Sequence, residues 1–165
     1  HVEAAQTTYP ETLGERKHLL WPDADVHYYT GLVKQRLGDE AGAEAAFQRV
    51  LDARGGEVSE TAIIRAQALR ALGRDDEADA LLHTVIEKAT AQLERQAEAG
   101  FATSVPAFVF FEADRETRRR VQLTYLIGLA HRHLGELDAA RDAFQSVLDL
   151  SPGHADARTQ LREIG

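Results

Sequence analysis

The chemistry this chain can attempt rests on seven histidines, several adjacent carboxylates, a cluster of arginines and one glycine pair. His131 and His133 are the closest histidines, but two residues apart on one helix they point to different faces. No His-Glu-x-x-His pattern is present, so structural or surface roles are expected rather than metal ligation. Asp75-Asp76 stand where a helix should begin, and capping explains them better than general acid–base work. Gly55-Gly56 lack the third glycine and the Lys-Ser/Thr of a phosphate loop. Serine is scarce and no nucleophile elbow appears, while cysteine is absent, which excludes thiolate catalysis, disulfides and cysteine–zinc sites. Arg115, Arg118, Arg119 and Arg120 look like an anion site in isolation. Glu112, Asp114 and Glu116 stand three or four residues before them, the favoured order for helical ion pairs, so a solvated helix face is expected. The expectation is a non-enzymatic chain with no catalytic residue, no metal and no cofactor.

The elements that would position any site are repeated. Gly31-Leu32, Leu37-Gly38, Ala43 and Phe47 recur at identical offsets as Gly128-Leu129, Leu134-Gly135, Ala140 and Phe144, followed by Pro152. A weaker copy lies between them at Ala66, Leu72-Gly73, Ala78 and Leu82. The marker glycines Gly38 and Gly73 are 35 residues apart, and Gly73 and Gly135 are 62 apart. Apolar residues such as Leu123, Ile127, Ala130 and Leu134 form a stripe at helical spacing. Each marker glycine suits a helix C-cap, and the acidic residues after it suit the start of the next helix. Gly31, Ala66 and Gly128 sit mid-helix, where glycine costs about 1 kcal/mol against alanine. That cost is tolerable where a partner helix approaches closely, with Phe47, Leu82 and Phe144 as the large filler.

This small–large–small pattern resembles the tetratricopeptide repeat, whose period is about 34 residues. Three copies cover about two-thirds of the chain. The resemblance implies an all-α fold, an α-solenoid of three helical hairpins with an insertion before the third and a C-terminal capping helix. The expected boundaries are a connecting segment or the tail of a preceding repeat over 1–23, repeats at 24–57, 59–92 and 121–154, an insertion over 93–120, and a cap over 154–165. Helices are expected over 24–37, 40–53, 59–72, 75–99, 112–134, 137–150 and 154–163. Pro106 and the aromatic run Phe101, Phe108, Phe110 and Phe111 predict an irregular or extended stretch up to residue 111, packed against the long helices on either side.

A narrower resemblance rests on Tyr9-Pro10-Glu11-Thr12-Leu13-Gly14-Glu15 and on Phe101-Ala102-Thr103-Ser104-Val105-Pro106-Ala107-Phe108. Both look like the C-terminal helical region of long bacterial proteins that carry an upstream mutarotase-like β-sandwich. The chain begins at His1 and contains no methionine, as expected of a fragment.

First helices of such repeats line a concave groove. The resemblance places Asp25, Tyr28, Leu32 and Gln35 there from the first copy, Glu60, Ile63, Gln67 and Arg70 from the second, and Gln122, Tyr125, Leu129 and Arg132 from the third. Tyrosine and arginine are frequent anchors in interfaces, so the implied partner is a protein or peptide, the parent protein's own upstream domain included. The alternative is that the insertion fills the groove. The chaperone-carboxylate clamp of some family members is excluded, because the chain has no asparagine and its lysines, Lys17, Lys34 and Lys88, are at none of these positions. A net charge of −8 argues against nucleic acid, and no apolar run reaches the ~18 residues of a membrane span. The expected function is a non-catalytic interaction scaffold in the cytoplasm. The second reading is an accessory region of a larger carbohydrate-active protein, and the third is a homodimer through the uncapped N-terminal end.

Overall fold

The computed structural model describes residues 24–100 and 109–165, and side chains at 24–95 and 114–165. Among them are seven α-helices and no strand: α1 (Ala24–Arg36), α2 (Glu40–Asp52), α3 (Glu60–Ala71), α4 (Asp75–Gly100), α5 (Val109–Leu134), α6 (Leu137–Leu150) and α7 (Ala155–Ile164). The all-α solenoid stands. The expectations for residues 1–23 and for Phe101 to Phe108 fall outside the described residues. Helix α5 begins at Val109, so Phe110 and Phe111 are helical where an irregular or extended stretch is expected. Pro106 still precedes that start, where a proline is tolerated.

Three glycines close the first helix of each pair in the same way. Gly38, Gly73 and Gly135 have φ of +78°, +72° and +81°, the left-handed region that an L side chain enters at a cost. The N–H of the residue after each donates to the carbonyl five residues back, Asp39 to Lys34 (3.0 Å), Arg74 to Leu69 (2.9 Å) and Glu136 to His131 (2.9 Å). The glycine N–H itself bonds to Gln35, Arg70 and Arg132 respectively. These paired bonds satisfy carbonyls that the helix end would otherwise leave open. Gly135→Ala is therefore expected to cost about 1–2 kcal/mol, read as a lower urea midpoint at unchanged slope.

Side chains cap the starts of α2 and α3. Asp39 accepts from the Gly42 N–H at 2.9 Å, and its carboxyl is held below the usual range by that bond and by Lys34. Ser59 Oγ accepts from the Ala62 N–H at 3.3 Å. Glu136 precedes α6 without a capping bond and pairs with His131 instead, at 2.5 Å.

Packing follows the small–large rule. A Cβ built on Gly31 would lie 2.4 Å from the Phe47 ring, and one on Gly128 would lie 2.6 Å from the Phe144 ring. The middle pair solves the same problem with the roles shifted by one size: Ala66 and Leu82 are both fully buried in one cluster. A methyl added on α3 is matched by a smaller side chain on α4, as volume-conserving exchange requires. Ala66 and Leu82, which read as departures from the repeat, are core.

Helices α1 and α2, α3 and α4, and α5 and α6 pack as pairs, while α3 also touches α1 and α5, and α7 closes on α6. Three buried clusters follow the chain in order. One joins Ala24, Phe47 and Val50 to Ala68 of α3. A second joins Ile63, Leu82 and Val85 to Leu126 and Ala130 of α5. The last joins Phe144 and Val147 to Ala157 of α7. Each cluster recruits the next pair's first helix, which is how repeats of this kind stack by neighbour contacts.

Helices α4 and α5 have 26 residues each, about 39 Å, twice the length of the others. Side chains 114–120 are all exposed, so this part of α5 projects beyond the core. Arg118 pairs with Asp114 at 2.5 Å and Arg119 donates to Gln92 at 3.0 Å, giving the expected solvated helix face. No described helix is long and apolar enough to cross a membrane.

Candidate interaction face

Helices α1, α3 and α5 lie side by side, and equivalent positions on them meet different fates. Tyr28 and Tyr125 are half-buried. The Tyr28 ring centroid is 6.0 Å from that of Phe47 and 5.6 Å from that of Tyr29, and burial first, then Tyr29, raises its phenol pKa. Tyr125 packs 5.7 Å from Phe144 and 4.9 Å from the His154 ring. Its phenol is pushed up to about 12, by burial first and then by the carboxylates Asp156, Glu60 and Glu163 against Arg132. Tyrosine suits such a position, with an apolar ring inward and a polar tip at the surface.

Ile63, at the equivalent position of α3, is only 2% exposed and belongs to the middle cluster. It has no polar tip to keep at the surface, and its expected place in a groove is corrected to the core. Leu32 and Leu129 are half-buried, Leu32 against the first cluster and Leu129 against both the middle and last ones. Gln35 is exposed.

The polar positions of α3 and α5 are taken up by the next element along the stack. Arg70 donates to the His133 carbonyl and to Asp79 Oδ1 (2.6 Å). Gln67 Nε2 lies 3.0 Å from His133 Nε2. With the amide as donor, His133 accepts at Nε2 and is neutral. Arg132 pairs with Glu163 of α7 at 2.8 Å and also donates to Gln160. Arg70 and Arg132 thus tie each first helix to the helix that follows it in the stack.

The pairings of His133, Asp79 and Glu163 are not legible in the sequence, since their partners lie 63, 9 and 31 residues away and no local pattern joins them. His154 stands in the expected helix 154–163 with no role assigned to it. It caps α7 by accepting from the Ala157 N–H at Nδ1 (3.2 Å), and its ring covers Tyr125. His131 and His133 have separate partners, Glu136 and Gln67. Among the described residues no group of three or more His, Asp or Glu side chains is arranged to hold a metal ion.

Burial, then Arg132 and Arg70, depress the His133 pKa from 6.5 to about 4. The folded state therefore keeps His133 neutral where the unfolded chain binds a proton. The stability this confers is present above pH 6.5 and is lost as pH falls toward 4. Because the ring is part-exposed, about 1–3 kcal/mol is expected. Urea midpoints between pH 7 and 4 should show the loss, and His133→Gln should remove that part of the slope.

Exposed carboxylates surround the tyrosine–leucine surface: Asp25 on α1, Glu60 on α3 and Asp156 on α7. Gln122 is the equivalent exposed position on α5. The arrangement offers apolar footing with an acidic edge, and no nucleophile–base pair.

Models of the tetratricopeptide repeat match residues 25–53, which hold α1 and most of α2, and residues 95–155, which run from the end of α4 to the start of α7. Together these stretches make up just over half of the chain. No curated protein matches it.

Proposed function

We propose that this chain, a tetratricopeptide repeat protein, is a non-catalytic scaffold whose α1–α3–α5 face docks a protein or peptide. Repeats of this family generally mediate protein–protein interaction. The observation that carries the reading is the pair of half-buried patches Tyr28–Leu32 on α1 and Tyr125–Leu129 on α5, the first helices that flank α3. Such side chains are held in place by the core and still present area to a ligand. That preorganisation lowers the ordering cost of binding. The acidic edge of Asp25, Glu60 and Asp156 favours a partner segment carrying lysine or arginine, with Tyr28 and Tyr125 available for cation–π contact. Arg70 and Arg132, already paired within the stack, serve as supports for this face rather than as anchors.

The occupant can be a separate protein or an upstream domain of the same parent. The reading as an accessory region of a carbohydrate-active protein rests on the motifs at 9–15 and 101–108 alone.

Selection from a displayed random-peptide library tests the scaffold reading. Enrichment of basic, aromatic or aliphatic peptides whose binding weakens with added salt is expected. A selection that yields no peptide above the level of an unfolded control would overturn it.

A further inference from the structure

Leu32, Gln67 and Leu129 occupy the same repeat position on α1, α3 and α5. All three are half-buried, and α3 packs against both of the other helices. The centre of the face is therefore a carboxamide between two leucines. Its nitrogen is engaged, since Gln67 Nε2 lies 3.0 Å from His133 Nε2. Burial, then Arg132 and Arg70, disfavour a charged ring, so His133 is neutral and its Nε2 accepts from the amide. The backbone of His133 is held as well, because its carbonyl accepts from Arg70, which pairs with Asp79 at 2.6 Å. Gln67 Oε1 has no hydrogen-bond partner among the described residues. The only buried polar side-chain atom without a partner among them is Arg65 Nε, so Gln67 Oε1 reaches solvent. It is an acceptor in a fixed orientation, open at the middle of the face.

We infer that Gln67, oriented by His133, sets the specificity of this face: its Oε1 accepts one peptide N–H from a partner segment that crosses α1, α3 and α5 in extended form. The inference rests on the docking reading above and narrows its occupant. A helical ligand has its N–H groups paired within itself beyond the first turn. An apolar helix face laid over Leu32 and Leu129 would bury Gln67 Oε1 without a donor, which weakens binding by about tenfold or more. An extended segment carries unpaired N–H groups along its edge and can supply one. Packed helices lie about 8–10 Å apart, and an extended chain advances about 3.3 Å per residue. Apolar side chains resting on Leu32 and on Leu129 therefore stand about three residues to either side of the N–H that Gln67 takes. His133 touches the partner only through Gln67 and is a positioning residue.

Two measurements on the 165-residue chain test this. In the absence of any peptide, the imidazole nitrogen shifts of His133 at neutral pH should show Nε2 unprotonated and Nδ1 protonated. A proton on Nε2 would turn the amide round, with its nitrogen outward, and overturn the proposal. Next, a peptide selected from the displayed random library is N-methylated at one backbone position at a time. One internal position is expected to lose affinity by about tenfold on the wild-type chain, and by less than about twofold on Gln67→Met. His133→Phe should shrink the loss at that position and leave the losses at the others as they are. Losses that match on wild type and Gln67→Met at every position would overturn the proposal and leave the docking reading standing. A selection that yields no peptide would overturn both.

Discussion

Phe144→Ala lowers the stability of the fold by about 3–5 kcal/mol, the range for removing a fully buried phenylalanine. Phe144 is 0% exposed and lies against Gly128, Tyr125 and the last core cluster. Its loss leaves a cavity at the junction of α5, α6 and α7, and chemical or thermal unfolding reads the change. The same site gives a more specific result. Gly128→Ala introduces a Cβ 2.6 Å from the ring, an overpacking cost of about 1–3 kcal/mol. The better helix propensity of alanine returns about 1 kcal/mol of it. Phe144→Leu removes the clash, so the double variant reproduces the Ala66–Leu82 solution of the middle repeat. It is expected to be more stable than the two single effects predict by about 1–2 kcal/mol. A coupling near zero would mean that the ring and the glycine do not share the packing constraint inferred for them.

The second large effect is on binding. Leu129→Glu is expected to weaken peptides selected on the wild-type chain by at least about tenfold, some 1.4 kcal/mol. Leu129 is half-buried between two clusters, where a carboxylate both removes apolar footing and adds charge beside Glu60 and Asp156. Arg49→Ala, on an exposed position of α2, should leave affinity unchanged. Titration of both variants by calorimetry, with helicity checked, separates lost contact from lost fold.

Much of this fold is legible because the repeat repeats its punctuation. Gly38, Gly73 and Gly135 stand at fixed offsets from helix residues, and a left-handed cap is a local event that a single sequence can show. Phe47 over Gly31 and Phe144 over Gly128 were likewise legible, since two copies carried the same pair. What was hidden depends on two residues at once. Ala66 and Leu82 each look like a departure, and only their shared cluster shows that one offsets the other. Ile63 occupies a position where the other copies have tyrosine, and spacing alone does not distinguish a residue that keeps a polar tip at the surface from one that sinks. Arg70 and Arg132 looked like ligand anchors because their partners, the His133 carbonyl and Glu163, come from the following repeat or cap. Long-range polar pairing leaves no periodic trace.

The central claim is that the α1–α3–α5 face, rather than the outer face of α2 and α6, is where this scaffold meets its partner. Amide chemical shifts of the labelled chain, followed while a selected peptide is titrated in, test it most directly. The account predicts that the perturbed residues cluster around Tyr28, Leu32, Gln67, Tyr125 and Leu129. Perturbations confined to exposed positions of α2 and α6, such as Arg49 and Gln145, would contradict it.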